Sequence, residues 1–212
     1  MPENPNPVTI DNSVVVLIDH QPWVAFSVQS IDRSLLVNNV TALATAARDL
    51  GVPTVLTTVG ANGSALADPL FAQISEVFPD QEPIDRVSTN AWADIRPAVE
   101  ATGRRVLVIA GIWTEVCLAQ TAISALKEGY TVYFVSDCSG GVTQEAHEDA
   151  KQRMVAAGAS GINWIALLTE WTPDYTSAER QAIYPGLLVR GGAPALSVEY
   201  LLANAPVPAQ SG

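Results

Sequence analysis

The sequence predicts a three-layer α/β fold in which helices cover both faces of an open parallel sheet. Short β-branched apolar runs alternate with longer segments of helical periodicity along most of the chain. This alternation is typical of strand–helix–strand units with right-handed crossovers. Glycine follows the helical segments at Gly51, Gly103, Gly129 and Gly158, where it ends a helix before the next strand.

Near-continuous apolar runs identify the strands. Parallel strands that are covered on both faces have this composition, because neither face meets solvent. The clearest runs are Ser13–Ile18, 53–59, 105–110 and 131–136, and shorter ones are 83–87 and 161–165.

Helical periodicity is strongest between the first two strands. One apolar face, with residues alternately four and three apart, is formed there by Leu36, Val40, Leu43, Ala47 and Leu50. Further helices are predicted at 91–102, 114–128 and 144–157. The Gly- and Pro-punctuated segment 60–83 predicts a loop with a short helix. The less periodic stretch after Trp171 is expected either to pack on the domain or to reach a neighbouring subunit.

The composition predicts a single domain, which we place at residues 8–204 with Pro-rich polar tails at 1–7 and 205–212. The formal net charge of −11 disfavours nucleic acid and anionic membranes as partners, and no Lys/Arg cluster overrides it. No apolar run is long enough to cross a bilayer, and no signal-peptide pattern is present. Two cysteines do not make a disulfide framework, so we expect a cytoplasmic protein with reduced thiols.

Polar residues that follow the strands define a candidate site. In open α/β sheets, ligands bind beyond the carboxyl ends of the strands. Asp19 directly follows the first strand, Cys117 follows the strand 105–110 after a short loop, and Arg86 lies in the predicted short strand 83–87. We therefore expect these three side chains to converge at one edge of the sheet.

Cys117 is the candidate nucleophile. Thr114 is a plausible helix N-cap, which would place Cys117 in the first turn of the next helix. The helix dipole and free N–H groups there favour a thiolate over a thiol and can stabilise an oxyanion. On these residues alone, Cys117 is equally consistent with a small buried hydrophobic residue.

The other candidates also have structural alternatives. Asp19 lies where a base for Cys117 is needed, although a carboxylate there could simply cap a loop. Arg86 could be a surface charge or a salt-bridge partner. Cys138 lies in a Gly-rich loop without an obvious base, and we interpret it as structural or as lining the rim of the site.

The histidines do not indicate a metal centre. His20 could line the pocket beside Asp19, whereas His147 is predicted in mid-helix and favours a packing or hydrogen-bonding role. Two histidines far apart in sequence do not form a compact ligand set. No Gly-rich loop has the spacing of a dinucleotide or phosphate site. We therefore expect neither a metal nor a cofactor.

Several motifs together carry a family resemblance. The segment 110–118, AGIWTEVCL, resembles a nucleophile loop in which glycine, a hydrophobic residue, Thr, an acidic residue and Cys follow in order. Supporting segments are LIDHQ at 17–21, Arg86 with NAW at 90–92, SD at 136–137 and EAHEDAKQRM at 145–154. From 14 to 171 the chain resembles the isochorismatase-like cysteine hydrolases, most closely their YcaC-like branch.

This resemblance implies a six-stranded parallel sheet between helices, usually in a homo-oligomer. It implies an Asp–Lys–Cys triad, with Cys117 as nucleophile and Asp19 as acid/base in this chain. It also implies a cis peptide at Ile112–Trp113. Such a bond would direct the Trp113 N–H toward the site, beside that of Cys117, as an oxyanion hole.

Two departures from the family pattern matter. The triad Lys position holds Arg86, which keeps the positive charge but releases its proton poorly. The stretch from 57 to 86 contains no histidine, so the metal site of the related nicotinamidases is not supported.

The leading hypothesis is hydrolysis of a C–N bond in a small amide-like molecule, through a Cys117 thioester with Asp19 as acid/base. Vinyl-ether hydrolysis, which needs an acid rather than a nucleophile, is an alternative. A non-catalytic binding or thiol-sensing protein is another. In each case Trp23, Trp92 and Trp113 could line an aromatic pocket, although Trp23 and Trp92 could equally be core residues.

Overall fold

The computed structural model describes residues 7–62, 68–190, 199, 200 and 203, and within them six strands form one parallel sheet. The strands are β1 (Ser13–Ile18), β2 (Thr54–Val59), β3 (Ile84–Arg86), β4 (Val106–Gly111), β5 (Thr131–Val135) and β6 (Ser160–Ile162). Their order across the sheet is β3-β2-β1-β4-β5-β6. The predicted doubly wound α/β fold is confirmed.

Helices connect the strands and cover the sheet. They are α1 (Pro22–Phe26), α2 (Arg33–Asp49), α3 (Ala72–Val77), α4 (Trp92–Ala101), α5 (Ala119–Lys127), α6 (Gln144–Ala156), α7 (Trp164–Trp171) and α8 (Ala178–Arg190). A π-type turn, Thr114–Leu118, precedes α5, and we call it the cysteine turn. Among the described residues, no helix has both the length and the apolar character needed to span a bilayer.

The core is divided by the sheet into two apolar clusters. Val15 and Leu17 of β1 face one cluster, with residues of α2, α7 and α8, whereas Val14 and Val16 face the other, with residues of α4, α5 and α6. All four valine and leucine side chains are fully buried. Burial on both faces explains why the strands are apolar without alternation.

The strand order reverses between β1 and β4. β1 pairs with β2 on one side and with β4 on the other. The connections that follow the two central strands, β1 and β4, therefore run in opposite directions, and this opens a crevice at the carboxyl ends of these strands. Ile18 and Gly111 are paired at this end of the sheet. A Cβ on Gly111 would lie 2.9 Å from the Cβ of Ile18, so only glycine allows this close pairing.

Strand boundaries agree with the sequence predictions at β1 and shift by about one residue at most others. The predicted strand 161–165 is wrong at its end, because β6 stops at Ile162 and α7 begins at Trp164. Asn163 causes the change, since its side chain accepts a hydrogen bond from the Ala166 N–H at 2.8 Å and caps the helix.

The stretch after Trp171 was expected either to pack on the domain or to reach a neighbouring subunit. Its helix α8 packs on α2 of the same domain. Ile183 and Tyr184 are buried in the first core cluster, and Gly186 lies so close to Thr45 that a Cβ would be 2.7 Å from its methyl carbon. The predicted tails 1–7 and 205–212 lie, apart from Pro7, outside the described residues. The domain bounds 8–204 therefore stay a prediction.

Candidate active site

The first strand ends in a carboxylate. Asp19 directly follows β1, has a φ of 55°, and is fully buried. Its N–H donates to the Thr57 carbonyl oxygen at 3.2 Å, and its own carbonyl accepts from the Gln21 N–H at 2.7 Å. The chain therefore turns directly after the strand, where the Asp19 side chain meets side chains of β2 and β3.

Two side chains from neighbouring strands hydrogen-bond to Asp19. The Thr57 hydroxyl of β2 donates to one carboxylate oxygen at 2.8 Å. The Arg86 guanidinium, from the end of β3, donates to the other at 2.5 Å and also to the Ser88 carbonyl oxygen. Sequence reasoning missed Thr57. The signal was a pair of threonines at the carboxyl end of an otherwise apolar strand.

The Asp19–Arg86 ion pair is removed from solvent, since the two side chains are 0% and 1% exposed. Burial raises the pKa of Asp19, while Arg86, Cys117 and Thr57 act against that rise by favouring the carboxylate. A raised carboxyl pKa suits a group that must both accept and return a proton near neutral pH.

Cys117 lies in the cysteine turn, directly after β4. The turn begins after Trp113, whose carbonyl oxygen accepts from the Leu118 N–H at 3.3 Å in the wide spacing of a π-turn. The expectation that Thr114 caps this helix is wrong. Trp113 holds the cap position without a side-chain bond, and the Thr114 hydroxyl instead meets His147 Nδ1 at 2.8 Å.

The Cys117 thiol interacts with Asp19 and Arg86. Burial, followed by the Asp19 charge, raises the pKa of Cys117 to about 12, and Arg86 offsets only part of this. Burial and the adjacent carboxylate thus favour the protonated thiol, which is opposite to the effect expected from the helix dipole. The thiol and the carboxylate lie in contact in this buried site.

The peptide bond between Ile112 and Trp113 is cis. Among the described residues, no hydrogen bond uses the Trp113 backbone N–H. The Trp113 indole is fixed by donating to the Val24 carbonyl oxygen at 3.0 Å and to the Ser27 hydroxyl at 2.9 Å. Assignment of the Trp113 and Cys117 N–H groups as an oxyanion hole stays a prediction.

The aromatic pocket candidates have different surroundings. Trp23 is half-buried and meets Trp113 edge-on, with ring centroids 6.5 Å apart. Trp92 is buried in the second core cluster and packs edge-on against Tyr130 at 5.0 Å, which favours its core role. His20 is fully buried, with Nε2 2.9 Å from the Cys138 carbonyl oxygen, and its role as a pocket residue stays a prediction.

One groove of the described residues lies away from this site. A groove of about 860 Å³ lies along β6 between α6 and α7, and its walls include none of Asp19, Arg86 and Cys117. The chemistry instead concentrates at the strand-order reversal, where a buried acid, a cation and a thiol meet. Among the described residues, no group of His, Cys, Asp and Glu side chains is arranged to hold a metal ion.

Comparison with known proteins agrees with this architecture. Residues 13–165 match the family model described as an isochorismatase domain. The chain is 37% identical to the probable hydrolase YcaC of Escherichia coli over 171 residues, which cover 78% of this chain and 80% of that protein.

Solved structures of YcaC proteins are also similar. YcaC from Pseudomonas aeruginosa, described with hexane-2,5-diol and covalent acrylamide, has a TM-score of 0.85 and 34% identity, covering 92% of this chain and 97% of that one. The Escherichia coli YcaC gene product, described as an octameric hydrolase of unknown specificity, has a TM-score of 0.83 and 32% identity, covering 93% and 95% of the two chains. The chain therefore belongs to the isochorismatase family and is a hydrolase of its YcaC-like branch.

Proposed function

We propose that this hydrolase cleaves the C–N bond of a small amide-like substrate through a thioester on Cys117. The observation that carries the proposal is the buried contact of one thiol, one carboxylate and one guanidinium at the strand-order reversal. A nucleophile that is held beside its base, with the base oriented by another group, is the usual arrangement for covalent catalysis.

The first half of the reaction forms the thioester. Asp19 accepts the thiol proton as Cys117 Sγ bonds to the carbonyl carbon, and the carbonyl π electrons move to the oxygen. The N–H groups of Trp113 and Cys117 stabilise this oxyanion. Collapse of the tetrahedral intermediate breaks the C–N bond, and Asp19 returns its proton to the leaving amine.

The second half restores the enzyme. Asp19 takes a proton from water as the water oxygen attacks the thioester carbon. The C–S bond then breaks, and the sulfur regains its proton from Asp19, which leaves a carboxylic acid as product. Arg86 stays protonated throughout and stabilises the Asp19 carboxylate and the developing negative charge on sulfur.

A covalent acrylamide in the Pseudomonas aeruginosa relative supports the presence of a reactive nucleophile in this fold. Acrylamide is itself a small amide. The octameric description of the Escherichia coli relative supports a homo-oligomer for this chain as well. The cytoplasmic location expected from the sequence stays a prediction.

Vinyl-ether hydrolysis is the second candidate, and the raised pKa of Asp19 favours it, because that reaction needs a proton donor. In this case Asp19 would protonate the substrate, and Cys117 would not form a bond to carbon. The two candidates therefore differ in whether a covalent intermediate forms on the thiol.

The test is the rate at which acrylamide alkylates Cys117 as a function of pH, followed by intact mass in a Cys138→Ser background. If Asp19 is the base, Asp19→Asn lowers the rate at neutral pH roughly 100-fold, and Arg86→Ala lowers it as well. Asp137→Asn is the matched control, since Asp137 is another carboxyl whose pKa burial raises, following the neighbouring strand β5. Equal rates in wild type and Asp19→Asn would contradict the proposal.

A further inference from the structure

The turn that carries Cys117 is attached to helix α6 by a buried side-chain hydrogen bond. His147 Nδ1 lies 2.8 Å from the hydroxyl oxygen of Thr114, the first residue of the cysteine turn. The two residues are 6% and 0% exposed. A buried bond of this kind is costly to remove, because the remaining partner is left without water or protein to satisfy it.

The backbone of the same turn is held by the loop before α6. The Thr114 N–H donates to the Gly140 carbonyl oxygen at 2.9 Å. The Glu115 carboxylate accepts from the Val142 N–H at 3.0 Å. A Cβ on Gly141 would lie 2.7 Å from the other Glu115 carboxylate oxygen and 3.0 Å from the His147 Cβ, so this packing has no spare room.

The loop is itself anchored at a distance from the site. The Gly141 N–H donates to the Ser30 hydroxyl at 2.9 Å, and the Gly141 carbonyl accepts from the Gln29 N–H at 3.1 Å. The Thr143 side chain caps α6 by accepting from the Ala146 N–H at 3.0 Å. The loop and α6 therefore form a fixed support for the cysteine turn.

The cysteine turn depends on such support. Its π-type spacing is wider than that of an α-helix, and the bond that closes it, from the Leu118 N–H to the Trp113 carbonyl, is long at 3.3 Å. A small rotation of the turn would move the Cys117 sulfur away from Asp19. Misplacement of reacting groups by about 1 Å can cost on the order of 100-fold in rate.

We infer that His147 is a positioning residue, which fixes the cysteine turn through Thr114 so that the Cys117 thiol faces the Asp19 carboxylate. The inference rests on the proposed role of Cys117 as nucleophile. His147 contacts neither the substrate carbon nor the thiol proton in this scheme. In this scheme its effect on the reaction is transmitted through the Thr114 hydroxyl.

The experiment measures acrylamide alkylation of Cys117 between pH 5 and 9, in the Cys138→Ser background, for variants of both partners. His147→Leu and Thr114→Val remove the same hydrogen bond with little change in volume. Each should lower the neutral-pH rate roughly ten-fold. The double variant should be no slower than either single variant, because both delete one interaction. His147→Asn places a polar atom where Nδ1 was and should restore most of the rate.

Urea unfolding of every variant separates positioning from stability. If His147 acts by positioning, His147→Leu should react more slowly than His147→Asn although the two variants unfold at similar urea concentrations. Wild-type rates in His147→Leu, additive losses in the double variant, or failure of His147→Asn to restore the rate would each overturn the inference. If Asp19→Asn also leaves the rate unchanged, the proposed function fails as well, whereas a slow Asp19→Asn beside a fast His147→Leu overturns only the positioning role.

Discussion

The two cysteines of this chain have similar local settings but different neighbours. Cys117 follows β4 and Cys138 follows the adjacent strand β5 at the same edge of the sheet, and both cysteines lie in a short turn and are buried. Cys117 faces the cluster formed with α4, α5 and α6, beside Asp19 and Arg86. Cys138 faces the opposite cluster, formed with α2, α7 and α8.

The surroundings of Cys138 are structural. Its carbonyl oxygen lies 2.9 Å from His20 Nε2, and the carbonyl of the preceding residue, Asp137, accepts from the Asn39 amide at 2.9 Å. Burial, followed by the Asp137 charge, raises the pKa of the Cys138 thiol well above its ordinary value. Burial therefore does not distinguish the two thiols, since it raises the pKa of both.

What distinguishes them is a hydrogen bond to a carboxylate, which Cys117 makes with Asp19, whereas Asp137 acts on Cys138 through its charge. The pKa of Cys117 is also raised, yet an ion-paired carboxylate lies beside its thiol. A buried thiol with such a base can lose its proton during attack without being a thiolate at rest. The proposed nucleophilic role of Cys117 therefore depends on groups from the neighbouring strands rather than on the thiol pKa.

The largest expected effect concerns turnover. Cys117→Ala should lower hydrolysis roughly 1,000-fold or more, because the thioester can no longer form. Cys138→Ala should stay within a few-fold of wild type. The measurement is ammonia release from a panel of small primary amides, using whichever amide the wild type hydrolyses. Full turnover by Cys117→Ala would remove the distinction between the two cysteines.

A smaller effect is expected on stability. Arg86→Met should lower the free energy of unfolding by about 3 to 5 kcal/mol, because it leaves the Asp19 carboxylate buried and unpaired. Adding Asp19→Asn should recover much of the loss. Arg96→Met is a control at the exposed Arg96–Glu100 pair, 3.8 Å apart, where about 0.5 kcal/mol is expected. Denaturant unfolding at pH 7 provides the values, and equal losses at Arg86 and Arg96 would contradict the buried-pair argument.

The smallest effect concerns His20, whose ring contacts the Cys138 carbonyl oxygen. Burial lowers the pKa of His20 from 6.5 to about 4. Between these values the unfolded chain binds a proton that the folded chain does not, so His20 stabilises the fold above pH 6.5 and this contribution is lost as pH falls toward 4. The full change is on the order of 3 kcal/mol.

His20→Gln tests this contribution. The glutamine can still donate to the Cys138 carbonyl but does not titrate, so the difference in unfolding free energy between wild type and variant should shrink as pH falls from 6.5 to 4. A difference that is constant with pH would show that His20 is not the titrating group. Cys117 alkylation should be little affected at pH 7.

Much of the site could be predicted from the sequence, because strand ends and the residues after them are local features. Asp19 and Cys117 follow apolar strands that parallel pairing brings to one edge. Thr57 was missed, because its role depends on the register that places β2 beside β1. The error at Thr114 has a similar cause, since a hydroxyl typical of an N-cap is taken instead by His147, 33 residues away along the chain.

The sequence by itself determined the layered α/β architecture, its strands and most of its helices, because apolar periodicity and glycine stops are properties of contiguous residues. It also identified the thiol, the acid and the cation of the candidate site. Only the tertiary structure decided the electrostatic surroundings of that site. The packing of the elements determines how deeply Cys117 is buried and that it lies beside Asp19, and both of these raise the pKa of Cys117.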